Sequence, residues 1–320
     1  MLGHPTTRVA AFLVLAVATA LTGCSKKEEA PTPVAPVAKP APAAETAPAL
    51  RSDNVYGFKI GELDAMALLD GNLELPNDNK VFGMGLKPED VAAVLGANGV
   101  PTDKLNLTIH PLLVKAGDRV LLFDTGAGGN FGPGSGHLPA ALAEAKVDPQ
   151  SVTDIFISHS HGDHVGGLAT ADGKLAFPNA TIHMTSAEWS YMSGLDQYKA
   201  VVPVIKPKVQ AFEPGAELVP GVVKAVEIKG HTPGHSGFRI TSGPESLLYV
   251  GDSMHHYIVS VQKPEWTIAF DVDSPVATAS RVALIKELAG SGERVFAVHF
   301  PFPGVGKMEQ RGEGAAWVPE

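Results

Sequence analysis

Directly after the apolar stretch Ile155-Phe156-Ile157, the chain reads Ser158-His159-Ser160-His161-Gly162-Asp163-His164. Alternate side chains of an extended segment share one face, so His159 and His161 can reach one ion together. Gly162 permits a sharp turn that aims Asp163 and His164 at a second point nearby. Neutral imidazole and carboxylate are the usual ligands of zinc, and they also suit iron, manganese and cobalt. Without a cation, three histidines and an aspartate this close together would repel when protonated and leave buried donors unpaired. The stretch predicts a metal centre at the end of a buried strand.

Composition narrows what surrounds it. Of 320 residues, 44% are hydrophobic and 18% charged, enough for a sizeable core. Lys plus Arg number 25 against 34 Asp plus Glu, a net charge of -9 that argues against nucleic acid or an anionic membrane surface as partner. The single cysteine, Cys24, excludes an internal disulfide and a thiolate-based zinc site.

Cys24 has its own context. Arg8 precedes an apolar run, Val9 to Leu21, too short to span a bilayer at roughly 17–25 residues and shaped like the core of a signal peptide. The run ends in Leu21-Thr22-Gly23-Cys24, which resembles a bacterial lipobox. Residues 1–23 are therefore expected to be a lipoprotein signal peptide and Cys24 the lipidated residue. Ser25 after it resembles outer-membrane more than inner-membrane routing, on the periplasmic face. Residues 24–54, rich in Ala and Pro, favour an extended polyproline II spacer at about 3.1 Å per residue. A single domain is expected over 55–320.

Within that domain, Tyr56–Leu69 reads as strand, with Asp70-Gly71-Asn72 as a hairpin turn. Residues 86–97, 138–145, 186–193 and 275–289 read as helices. Strands are expected at Leu107–Lys115, Val120–Phe123, Ile155–Ile157, Thr181–Met184, Val222–Ile228, Phe238–Thr241, Leu247–Val250 and Val295–Val298. The elements interleave without a strict βαβ alternation, which predicts a mixed α/β domain. A dinucleotide loop at Gly126-Ala127-Gly128-Gly129 fails, because the third glycine of that motif would fall on Phe131. No Gly-x-Ser-x-Gly elbow is present.

The His-x-His-x-Asp-His stretch, His231-Thr232-Pro233-Gly234-His235, Tyr249-Val250-Gly251-Asp252 and Val298-His299-Phe300 together resemble the motifs of the metallo-β-lactamase superfamily. The resemblance covers the whole chain after the linker and implies an αββα sandwich of two mixed sheets flanked by helices. It implies two divalent ions, zinc first. His159, His161 and His235 would hold one, and Asp163, His164 and His299 the other, with Asp252 touching both. His231 would shape the turn before His235 or support a ligand, and His110, His137 and His183 would be structural or surface residues.

In such a site two cations share a hydroxide as nucleophile, with Asp163 beside it as proton shuttle. In related lactonases a tyrosine three residues after the bridging aspartate polarises the substrate carbonyl. Here that position is His255, a candidate catalytic donor. The chain also resembles methyl parathion hydrolase and lactonase-like relatives, which implies cleavage of a neutral lactone, carboxylic ester or phosphotriester in an apolar pocket. Candidate pocket walls are Phe131, Trp189, Met192, Trp266, Phe300 and Phe302. The alternatives are a thioesterase of glyoxalase II type, a phosphodiesterase, a β-lactamase or a non-catalytic metal-binding lipoprotein. Relatives are often dimers, which leaves a homodimer open.

Overall fold

The computed structural model describes residues 50–320. The expected signal segment, Cys24 and the linker up to residue 49 lie outside the described residues.

The chain begins with the hairpin β1 (Val55–Ile60) and β2 (Leu63–Leu68). A separate two-stranded sheet follows, β3 (Gly71–Pro76) with β4 (Lys104–Ile109), with α1 (Pro88–Ala97) between them in sequence. Then come β5 (Leu112–Ala116), β6 (Arg119–Phe123), α2 (Leu138–Glu144), β7 (Asp154–Phe156) and the short α3 (Gly162–Val165). β8 (Thr181–Thr185), α4 (Ser186–Gly194), α5 (Val201–Ile205) and β9 (Val209–Phe212) complete this half. The second half contains β10 (Glu217–Val219), β11 (Val223–Glu227), β12 (Ser236–Ser242), β13 (Glu245–Tyr249), α6 (Val259–Gln262) and α7 (Ser274–Ser291). It ends with β14 (Arg294–Phe296), β15 (Val305–Arg311) and β16 (Gly314–Pro319).

Two seven-stranded sheets result, ordered β1-β2-β5-β6-β7-β8-β9 and β10-β11-β12-β13-β14-β15-β16. Both are mixed: β6 through β9 pair in parallel, as do β13 and β14, and the other neighbours are antiparallel. The period-2 alternation of strands sorts their side chains between layers. Along β5 and β6, Leu112, Val114, Leu121 and Phe123 face the inner core, while Leu113 and Leu122 face outward beneath α2. From the other sheet, Phe238, Ile240, Leu247, Tyr249 and Phe296 meet the same inner core. On that sheet's outer face α7 buries Leu284, Ile285 and Leu288. The architecture is the expected αββα sandwich.

Local chemistry explains α7. Asp273 caps its start by accepting from the Val276 N–H at 3.2 Å, with proline in the first turn. Gly292, at φ 67°, ends it with an N–H to the Leu288 carbonyl. Among the described residues no helix is long and apolar enough to cross a membrane.

The N-terminal strand departs from expectation. It breaks at Gly61 into β1 and β2, and Asp70-Gly71-Asn72 is no hairpin turn. Asp70 is fully buried, and its carboxylate accepts from the N–H groups of Ala127, Gly136 and Leu138 at 2.8–3.1 Å. Burial raises its pKa despite those bonds. The residue therefore ties β3 to the loop after β6. The last hairpin, β15–β16, has no counterpart in the sequence expectation. β15 carries Lys307, Glu309, Gln310 and Arg311 and buries Met308, so too little apolar alternation marks it.

Phe123 is fully buried between the sheets, with ring centroids 4.9 Å from Phe156, 5.6 Å from Phe238 and 5.7 Å from Tyr249. Phe123→Ala is expected to lower unfolding free energy by about 3–5 kcal/mol, measured by urea titration of the purified protein.

Candidate metal centre

The site lies where strand ends and loops meet, at one edge of the sandwich. β7 feeds the segment 158–164, the β11–β12 connection carries His231, Asp252 follows β13, and His299 follows β14. Two groups of ligand-type atoms assemble there: His159, His161, His231 and Asp252, and Asp163, His164 and His299.

In the first group the His161 Nδ1 lies 3.0 Å from His159 Nε2 and 3.0 Å from His231 Nε2, and the last two are 3.1 Å apart. The Asp252 Oδ2 sits 3.6 Å from His159 Nε2 and 3.4 Å from His231 Nε2. Its other oxygen, Oδ1, turns to the second group and lies 3.2 Å from both His164 Nε2 and His299 Nε2. The Asp163 Oδ2 is 3.7 Å from His164 Nε2 and 3.5 Å from His299 Nε2. One carboxylate thus faces both groups, one oxygen to each.

These atoms fit cations better than they fit each other. Nitrogens around a four-coordinate ion at about 2.0–2.1 Å are separated by roughly 3.3 Å, close to the spacing of the first group. His164 Nε2 and Asp252 Oδ1 are buried without a hydrogen-bond partner, although both face the centre. Burial holds the His159 and His231 rings well below the ordinary imidazole value and lowers His161, so each ring favours its neutral form with one bare nitrogen. Burial opposes charge on His164 and His299 too, but the carboxylates of Asp252 and Asp163 outweigh it and raise both rings. Asp252 is pushed well below the usual carboxylate range, because the surrounding imidazoles overcome its desolvation. The second group therefore favours positive charge, which a divalent ion would supply.

His235 departs from the expected ligand set, and His231 replaces it. The His235 Nδ1 bonds the Ile228 carbonyl at 2.9 Å, and its Nε2 accepts the Asp252 N–H at 2.9 Å. Both ring nitrogens are used, so the ring positions the bridging carboxylate's backbone and does not join the cluster. The fit is tight: a Cβ on Gly251, which sits at φ 51°, would fall 2.5 Å from that Nε2. The two histidines share one short loop, and spacing alone does not say which one turns inward.

Two buried carboxylates hold the ligand loops: Glu188, which the sequence did not single out, and Asp124, which the superfamily resemblance places near the site as part of Asp124-Thr125-Gly126. Glu188 on α4 accepts from Ser160 N–H (2.8 Å), Ser160 Oγ (2.6 Å), Thr232 Oγ1 (2.7 Å) and Gly234 N–H (2.9 Å), joining the two histidine loops. Asp124, directly after β6, accepts at 2.7 Å from Ser158 N–H and Oγ, His164 Nδ1 and Tyr249 OH. Ser158 Oγ spends its one proton on Asp124, so at 3.1 Å it accepts from His159 Nδ1. One carboxylate thereby orients a histidine of each group. The His299 Nδ1 bonds the Thr108 carbonyl at 2.7 Å.

Above the centre is a cavity of about 350 Å³. Leu73, Leu107, Phe131, Ala269 and Phe270 wall it, with Asp163, Asp252, His161, His255 and His299 at its base. Of the six expected pocket residues only Phe131 lines it, beside Gly162 and 44% exposed. Met192 and Trp189 pack into the outer core under α4, and Trp266 joins a cluster with Phe82 and Leu107. Phe300 is fully buried edge-on to Trp317, and Phe302 packs edge-on to His110. Phe300 and Phe302 neighbour a ligand in sequence, but backbone alternation and the following turn send their rings the other way. His255 is placed at the cavity, 1% exposed, with neither ring nitrogen hydrogen-bonded and its ring stacked 5.8 Å from that of His299.

The assignment separates by metal content. His231→Ala is expected to retain about one ion per chain after dialysis. His235→Ala is expected to retain the full complement, at about 1–3 kcal/mol lower stability from the unpaired Asp252 N–H and Ile228 carbonyl. Elemental analysis with parallel melting curves checks both, and the reverse pattern would return His235 to the ligand set.

Comparison with known proteins agrees with this geometry. Residues 108–299 match the metallo-beta-lactamase superfamily. A probable metallo-hydrolase of Mycobacterium tuberculosis is 26% identical over 185 residues, covering 47% of this chain and 58% of its own length. A counterpart in Mycobacterium bovis matches equally, so the chain spans little more than half the length of these curated relatives. AidC, a dizinc quorum-quenching lactonase solved in complex with a product, N-hexanoyl-L-homoserine, superposes with a TM-score of 0.77. It is 29% identical, over 83% of this chain and 97% of AidC. The hydrolase AbOPH superposes at 0.76, with 26% identity over 85% of this chain and 99% of its own. With the six other side chains of the two clusters and the shared Asp252 all inside the matched span, the chain belongs to the metallo-beta-lactamase superfamily.

Proposed function

We propose that this protein is a binuclear metal-dependent hydrolase that opens a neutral lactone or cleaves a carboxylic ester bearing an apolar substituent. The observation that carries the reading is the cavity: apolar side chains wall it, no Lys or Arg among the described residues lines it, and both ligand groups open at its base. Such a wall favours an alkyl, acyl or aryl group and gives an anionic substrate no counter-charge. AidC, with its acyl-homoserine product, supports the lactone arm.

His159, His161 and His231 would hold one ion and Asp163, His164 and His299 the other, with Asp252 between them. A pair of divalent ions so held would supply a nucleophile from water near neutral pH and would polarise the scissile carbonyl. The chain's own groups do the rest. Leu73, Leu107 and Phe270 exclude water from the apolar substituent, and Phe131 closes the outer side. Asp163, at the cavity base, takes the proton of the attacking water on the oxygen that does not face the second ligand group and returns it to the departing oxygen. His255 lines the cavity, its Nε2 3.2 Å from Asp252 Oδ2, and is the ring donor within reach of the carbonyl or leaving oxygen.

The test is a substrate panel with the metal-replete protein: acyl lactones, aryl esters, a phosphotriester, a thioester and a cephalosporin, each with and without chelator. Lactone or ester turnover at least tenfold above the others, abolished by chelation and restored by zinc, is expected. Preferred turnover of the thioester, phosphotriester or cephalosporin would replace this substrate class.

The apolar run ending at Cys24 supports export and lipid attachment outside the cytoplasm. Cys24→Ser is expected to move the protein from the membrane fraction to the soluble periplasmic or precursor pool, read by fractionation and intact mass.

A further inference from the structure

Behind His231 lies a buried charge pair with no part in the ligand set. Arg281, on α7, is 1% exposed. Its Nη2 donates to Asp271 Oδ2 at 3.2 Å, and its Nε to the Pro264 carbonyl at 3.0 Å. The guanidinium also reaches the carbonyls of Ser253 at 3.4 Å and Trp266 at 3.5 Å. The other oxygen of Asp271, Oδ1, lies 3.0 Å from the His231 Nδ1. The opposite ring nitrogen of His231, Nε2, is the one that converges on His159 and His161.

Arginine only donates hydrogen bonds and an ionised carboxylate only accepts them. With the guanidinium on one oxygen, Asp271 presents an acceptor to His231, so the ring hydrogen sits on Nδ1 and Nε2 keeps a bare lone pair. We propose that Arg281 and Asp271 are positioning residues that set the tautomer of His231, and that this tautomer decides whether the first metal site forms. The proposal rests on the metal centre described above and is independent of which substrate the centre takes.

The arrangement makes an apparently conservative change severe. In Asp271→Asn the amide oxygen must face Arg281, because an NH2 group there would set donor against donor. The NH2 group then points at His231 Nδ1, which becomes the acceptor. The ring hydrogen moves to Nε2 and occupies the direction of the ion. Removing the guanidinium as well, in Asp271→Asn with Arg281→Met, frees the amide to turn its oxygen back to His231.

Zinc titration of the full-length chain against a chromophoric chelator, with nitrogen-15 spectra of the histidine rings in the metal-free protein, tests this. In Asp271→Asn, first-site affinity is expected to fall by about 10–100-fold with the second site unchanged, and His231 to carry its hydrogen on Nε2. The double variant is expected to regain at least about tenfold of that loss, a reversal that general loosening of the fold does not produce. Parent affinity at the first site in Asp271→Asn, or a ring hydrogen still on Nδ1, would overturn the proposal, as would a folded double variant with no recovery. Should the double variant fail to give a cooperative melt, the ring spectra of the single variant decide. None of these readouts uses turnover, so failure of the substrate panel leaves them intact.

Discussion

Three imidazole nitrogens held 3.0–3.1 Å apart in a buried place need something positive between them. No set of tautomers lets all three hydrogen-bond one another well. That one constraint organises the edge of the sandwich. It requires the ends of β7, β13 and β14 and the β11–β12 connection to meet within a few ångströms. It also requires Asp252 to stand with one oxygen toward each group.

Meeting it means burying carboxylates, which is costly unless every oxygen is occupied. Those that support the ligand loops are occupied in this way. Glu188 and Asp124 each accept four hydrogen bonds, Asp70 accepts three backbone N–H groups, and Asp271 is matched by His231 and Arg281. Asp124 does this at φ 58°, a left-handed conformation costing on the order of 1 kcal/mol for a residue with a Cβ. The cost places its carboxylate where Ser158, His164 and Tyr249 converge. Rigidity here comes from charge satisfied in several directions at once, and it is handed to the imidazoles through their outer nitrogens.

What the sequence made legible follows from range. His159, His161, Asp163 and His164 lie on one short segment whose backbone periodicity directs them, so their grouping could be read directly. Most strands and the four longer helices could be read from alternation and caps. The choice between His231 and His235 could not, because it depends on Ile228 and on the Asp252 N–H, which claim the second ring. Pocket walls failed for a related reason. Aromatic residues beside ligands, such as Phe300, turn into the core, while Leu73 and Phe270 arrive from distant elements. Glu188, Asp271 and Arg281 look like ordinary surface charges until the fold closes over them.

The wall that meets the substrate has a foundation of its own. Leu73 and Leu107 are direct cross-strand partners in the small β3–β4 sheet, which with α1 closes a separate apolar cluster around Phe82, Val91, Leu95, Leu105 and Ile268. The histidines and their carboxylate supports stand on the two large sheets and on α4 and α7. Selectivity and reactivity are thus built on different masonry joined at Thr108, whose carbonyl on β4 holds the His299 ring, so the outer annex can be reshaped away from that joint while the inner platform keeps its register.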